Sequence, residues 1–170
     1  MSTDAALAAF DEARDRFLAV FERVPDDALA FLPPGDEYAI GGVLPHLTWS
    51  IDHYCDILDA VVAGGFAGLR DPTDPTEVER VNDEARQGLD GPGRERALAA
   101  LRTAHDRLVA MVRDLPEPEF EHSAPVLYRG SEEPYPTSAA AICGWVTDHY
   151  EGHIPHVEQL LTAYEAAARR

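Results

Sequence analysis

Apolar residues recur every three to four positions along four long stretches of this chain, and proline or glycine stops most of them. That recurrence is the period of an amphipathic α-helix, not of a strand. The first stretch, about residues 4–24, carries Leu7, Phe10, Phe17, Leu18 and Phe21 on one side, with Ser2 or Thr3 to cap it and Pro25 to end it. The second, about 40–63, repeats Val43, Leu47, Ile51, Tyr54, Leu58 and Val61 before Gly64-Gly65. The third, about 93–114, shows Leu98, Leu101, Leu108 and Val112, with Leu115 at its end. The fourth, about 137–168, follows Pro136 with Thr137 or Ser138 as cap and runs through Ile142, Trp145, Val146, Val157, Leu160, Leu161 and Tyr164. Four such helices joined by two long links predict an all-α four-helix bundle with long crossover connections.

The connections are marked by Pro and Gly. "VPDDALAFLPPGDEYAIGG" is short and predicts one helical turn around Asp26–Ala30. The link after Gly64 is long and predicts a short helix over Thr76–Gln87. "PEPEFEHSAPVLYRGSEEPYP" reads as extended, with a short ribbon at Ala124–Tyr128. No internal repeat, low-complexity tract or interdomain linker appears, so residues 1–170 are expected to form a single domain. That length can bury a core without disulfides or a structural metal.

Charge narrows the partners. The 14 basic residues are all arginine, and 31 acidic residues leave a formal net charge of −17. Such a surface repels a polyphosphate backbone, and no basic arm offers an exception, so no nucleic acid is expected as partner. An anionic membrane surface is disfavoured for the same reason. The two cysteines, Cys55 and Cys143, lie in apolar helical contexts and read as small hydrophobes in a reducing, cytoplasmic setting. No signal peptide and no apolar run of about 18 residues is visible.

Chemistry concentrates in "TDHYEGHIPHVEQLL", residues 147–161, where three of the seven histidines fall within eight positions. On a helix, residues four apart lie one turn above each other, about 5–6 Å between Cβ atoms. His149 and His153 have that spacing, which lets two imidazoles converge on one ion at about 2.0–2.1 Å. The same pair can equally be part of an ordinary amphipathic face. His156 shares their side, and Pro155 before it removes a backbone donor, so the helix is expected to bend or loosen near Glu151–Gly152. A metal site needs a further ligand, and the second helix offers His46, beside the stripe of Val43, Leu47 and Ser50. His53, between Asp52 and Tyr54, reads as a boundary group; His105 and His122 read as solvated.

"GGVLPHL" opening the second helix and "HYEGH" in the last resemble the DinB/YfiT-like metalloprotein superfamily, whose members include mycothiol-dependent maleylpyruvate isomerases and bacillithiol transferases. The resemblance covers nearly the whole chain and implies an up-up-down-down bundle with metal ligands at His46, His149 and His153. In "EYAIGGVLPHL", Tyr38 stands where relatives carry Trp. Many relatives end in "HxxxHxxQ"; in that frame "HVEQ" would make His156 the last ligand, but its partner four residues earlier would be Gly152, which cannot bind a metal.

Three imidazoles suit Zn²⁺, Ni²⁺ or Fe²⁺ and leave positions open on the ion. The resemblance implies that water or a low-molecular-weight thiol occupies such a position. Three functions follow as expectations. One is a metal-dependent thiol transferase, isomerase or hydrolase acting on a small-molecule substrate, with Asp52, Asp148 or His53 as candidates to orient a ligand or carry a proton. The second is a metal- or ligand-binding stress-response protein without turnover. The third is a bundle whose histidines only pack and which works through an oligomer interface, with Trp49 or Trp145 exposed at the seam. A homodimer through the bundle faces suits any of them.

Overall fold

A computed structural model describes residues 2–169. Four long helices carry it: α1 (Thr3–Phe21), α2 (Val43–Ala63), α4 (Gly91–Asp114) and α6 (Ala139–Ala168), with shorter α3 (Pro75–Gln87) and α5 (Glu117–Phe120) in the links. Polar side chains start α1 and α6 as the sequence predicts. Ser2 Oγ accepts from the Ala5 amide at 3.3 Å and Ser138 Oγ from the Ala141 amide at 3.1 Å, each satisfying an orphan donor of the first turn. The turn expected around Asp26–Ala30 is a 3₁₀ turn over Asp26–Ala28, and a second precedes α2 at Ile40–Gly42.

Helix directions follow from which residues meet. Arg16 pairs with Glu151, and Arg23 with Glu158 at 3.3 Å, so α1 and α6 run parallel. His105 meets Asp11 and Arg94 meets Asp26, so α4 opposes α1. His46 faces His149 while Tyr54 faces Trp145, so α2 opposes α6. The order is therefore up-down-down-up, which corrects the up-up-down-down order implied by the resemblance. Because α2 and α4 point the same way, the chain must travel back along the bundle between them, and α3 makes that return against α2.

A small sheet closes one end. The predicted ribbon is β2 (Ala124–Leu127), paired antiparallel with β3 (Tyr135–Thr137) and parallel with the two-residue β1 (Leu69–Arg70). Its buried Ala124 and Val126 pack with Ile57 and Val61 of α2. The main core lies between the helices, where Phe10, Phe17, Phe21, Leu44, Leu47 and Tyr150 are fully buried. Each such side chain contributes about 1.5–3 kcal/mol of hydrophobic stabilisation. No helix among the described residues is long and apolar enough to cross a membrane.

His105 is not solvated, contrary to the reading of its polar neighbours. It is completely buried, stacks on Phe10 at 3.9 Å between ring centroids and bonds Asp11 through Nε2 at 2.9 Å. Its position, with Leu101, Ala104, Leu108 and Val112, lies within the buried stripe of α4. Trp49 and Trp145 are half-buried rather than exposed.

The glycine pair before α2 is explained by a close backbone approach. Ala39 N–H donates to Ala85 O at 2.9 Å, and a Cβ added at Gly42 would lie 1.8 Å from that same carbonyl oxygen at the end of α3. A side chain there would drive α3 off the start of α2. Gly42→Ala is expected to lower unfolding free energy by about 1–3 kcal/mol, the usual cost of overpacking. Urea denaturation checks this; a variant as stable as the wild type would mean that the two helix ends are not held so closely.

Candidate metal centre

His46 sits in the first turn of α2, and His149 and His153 lie one turn apart in the middle of α6. Antiparallel packing brings these places together. The Nε2 atoms of His46 and His149 are 2.9 Å apart, and those of His149 and His153 are 3.1 Å apart. The three donor nitrogens all lie within 4.8 Å of one another, the one cluster of its kind among the described residues. Any two nitrogens on a tetrahedral ion with about 2.0–2.1 Å bonds stand roughly 3.3 Å apart, so modest opening would accommodate an ion.

The local environment favours unprotonated rings. Burial pushes His46 down to about 4, with His149 and His156 adding to the effect. Burial, followed by His149, His46 and His156, pushes His153 to about 3, and burial lowers His149 as well. A neutral imidazole offers one lone pair, and three nitrogens turned toward the same small space cannot all satisfy one another by hydrogen bonding. A cation resolves that conflict, and nitrogen-only donors suit a transition-metal ion better than calcium or magnesium. The donor set therefore fits a divalent transition metal.

His156 lies behind this cluster. Its Nδ1 is 3.2 Å from His153 Nδ1, and its Nε2 is 3.1 Å from Asp36 Oδ1. α6 continues as a helix through Pro155, so His156 keeps the i,i+3 relation to His153. Tyr38 covers the other side, its ring 4.5 Å from His46 and 6.1 Å from both His153 and His156.

The carboxylates named from the sequence lie elsewhere. Asp52 pairs with Arg107 at 3.3 Å, and Asp148 is exposed. His53 bonds Thr73 through Nδ1 at 2.9 Å and lies 3.7 Å from Asp71, which ties α2 to the crossover rather than to the cluster. His122 is exposed but stacks on Phe66 at 4.2 Å. Asp36 was missed. Its signal was "PPGD": Asp36 N–H bonds Pro33 O at 3.2 Å across a turn in which Gly35 has φ +90°, a conformation suited to glycine. Both cysteines are buried, and burial raises each thiol to about 12, so neither is available as a thiolate.

The family model of the DinB superfamily matches residues 9–157. The chain belongs to the DinB superfamily. Among solved structures it is similar to YfiT from Bacillus subtilis, described as a probable metal-dependent hydrolase with an unusual four-helix bundle topology. That match has a TM-score of 0.72 at 20% identity and covers 96% of this chain and 87% of YfiT. It is also similar to an uncharacterised Escherichia coli UTI89 protein, with a TM-score of 0.65 at 11% identity over 96% of this chain and 95% of that one. A Streptococcus pneumoniae protein matches with a TM-score of 0.68 at 10% identity over 98% and 91%. At these identities the likeness is one of fold. Comparison with curated proteins gave no match.

The lowered histidines make metal-free stability depend on pH with a definite sign. A His whose folded value lies below its unfolded value of about 6.5 is held neutral by folding, while the unfolded chain takes up protons first. The stability contributed by His46, His149, His153 and the buried, similarly lowered His105 is complete above about pH 6.5 and is lost as pH falls, through about 4 for His46 and about 3 for His153. Chelator-treated protein is therefore expected to melt at a lower temperature at pH 5 than at pH 7. A Tm that is flat or higher at pH 5 would contradict neutral burial of these rings.

Proposed function

We propose that His46, His149 and His153 hold one divalent metal ion and that the protein is a metal-dependent enzyme acting on a small molecule. The observation that carries this reading is the convergence of three half-buried or buried imidazole nitrogens from two helices, with no protein carboxylate or thiol among them. Three protein donors leave a position open on the ion, the arrangement of a catalytic rather than a closed structural site. A metal bound there supplies Lewis acidity, lowering the pKa of a coordinated water or thiol toward neutrality.

The chain's own groups fix the rest. His46 arrives from α2 and His149 and His153 from α6, so the donor spacing depends on helix packing rather than on a loop. Tyr38 shields the side facing the Pro33–Asp36 turn. With Cys55 and Cys143 buried and protonated, a reacting thiol would come from outside the chain. Hydrolysis, and transfer or isomerisation assisted by a low-molecular-weight thiol, are the reactions that suit this arrangement. The YfiT description as a probable metal-dependent hydrolase supports the first of these.

A second reading, metal binding without turnover, is favoured by one observation. Asp36 approaches His153 only through His156. A poised general base beside an open position is therefore not evident in the contacts that surround the three imidazoles.

Tag-free protein analysed by elemental mass spectrometry is expected to carry about one transition-metal ion per chain, lost in His149→Ala/His153→Ala. Turnover of ester, amide or thiol-transfer substrates should vanish on chelation and return on adding the metal. Metal content without turnover across all three classes would favour the second reading. An apo wild type that takes up no Zn²⁺, Ni²⁺ or Fe²⁺ would overturn both.

A further inference from the structure

We infer that Asp36 and His156 are positioning residues that fix the tautomer and orientation of His153, so that its Nε2 is delivered to the cluster as a bare lone pair. This rests on the metal reading above and deepens it by extending the site to a loop that supplies no donor of its own.

The direction of every bond follows from donor and acceptor chemistry. An ionised carboxylate only accepts, so at 3.1 Å His156 Nε2–H donates to Asp36 Oδ1. A neutral imidazole with a proton on Nε2 has none on Nδ1, so His156 Nδ1 accepts. At 3.2 Å its partner must be the donor, which is His153 Nδ1–H. With its proton on Nδ1, neutral His153 has none on Nε2, the atom that lies 3.1 Å from His149 Nε2. The loop carboxylate thus selects, through two imidazoles, which nitrogen of His153 can bind a metal. Hydrogen-bonded partners behind metal-bound histidines commonly fix the tautomer, turn the ring and raise its basicity.

Asp36 is itself held in place. The Pro33-Pro34-Gly35-Asp36 turn brings it back toward the bundle, and the same Oδ1 accepts from the backbone amides of Glu37 at 2.8 Å and Tyr38 at 3.4 Å. This Asx turn also sets the start of the segment that lays Tyr38 over His46. From there Ile40 N–H bonds Phe31 O at 3.1 Å and Gly41 N–H bonds Leu29 O at 2.8 Å, so the loop is laced to itself on the way into α2. One turn therefore touches both sides of the cluster: through Tyr38 toward His46 and through His156 toward His153.

The test compares wild type with Asp36→Ala, His156→Leu and His156→Gln. Glutamine can accept from His153 and donate to Asp36, so it restores both halves of the relay, whereas leucine restores neither. Zn²⁺ affinity by chelator competition is expected to fall about 10–100-fold in Asp36→Ala and His156→Leu and to recover most of that loss in His156→Gln. Cobalt-substituted wild type and His156→Leu should differ in their visible absorption, which reports ligand geometry directly. Tm and far-UV circular dichroism of the metal-free variants separate loss of the relay from loss of the fold.

Independently, long-range ¹⁵N–¹H correlation on metal-free wild type near neutral pH should show His153 as the Nδ1–H tautomer. Folded variants that bind Zn²⁺ within twofold of wild type, or a His153 protonated on Nε2, would overturn the inference. If the variants unfold, the wild-type tautomer still decides it. A wild type that binds no metal but shows the Nδ1–H tautomer would instead defeat the metal reading and leave the relay standing.

Discussion

The register of α2 against α6 is the constraint on which the site depends. Placing the first turn of one helix beside the middle of the other is what puts His46 within 2.9 Å of His149. A shift of one helical turn, about 5.4 Å, would separate the nitrogens beyond the reach of any shared ion. α6 satisfies two neighbours at once because consecutive residues point about 100° apart. Tyr150 enters the fully buried core beside Phe10 and Phe17, while His149 next to it turns toward α2. Outside the core, Arg16–Glu151 and Arg23–Glu158 repeat at the same seven-residue interval along α1 and α6. Exposed pairs of this kind are worth little individually, so the apolar side chains set the register and the ion pairs only agree with it.

Buried imidazoles are costly when unpaired, and this protein distributes that cost in two ways. His105 is satisfied within the fold, by Asp11 and the face of Phe10, and needs nothing from outside. The cluster of His46, His149 and His153 is not self-sufficient, because three imidazole nitrogens sharing one small space cannot all satisfy one another. The contrast between the two makes the first a structural contact and the second the candidate for binding a cation. The formal charge of −17 raises the local concentration of cations around the whole molecule, while the donor atoms supply the selectivity that a diffuse field lacks.

Helical periodicity made the four main helices, α3 and the approximate place of β2 legible, since all are local patterns. β1 was not, because two residues carry no period and its partner strand lies more than fifty positions away. Helix direction was not legible either. It depends on which way the long link crosses, and the parallel run of α2 and α4 is decided by packing α3 back along α2. His105 shows a different failure. Charged neighbours Arg102, Asp106 and Arg107 drew it to the surface, although the spacing Leu101, Ala104, His105, Leu108, Val112 already assigned it to the buried face. The same spacing argument places His153 in the buried stripe between Tyr150 and Val157, so the periodic pattern held enough information to place both histidines.

Asp36 was invisible for a reason that bears on chemistry. In a chain with 31 acidic residues, an aspartate in a loop looks like solubility until its partner is known, and that partner is 120 positions away. Its distance from the cluster is also informative. A carboxylate placed directly among the three imidazoles would neutralise half the charge of a divalent ion and blunt its pull on an oxygen or sulfur. Held one histidine further back, it would orient His153 and sharpen that ring's donor atom while leaving the charge of an ion bound there uncompensated.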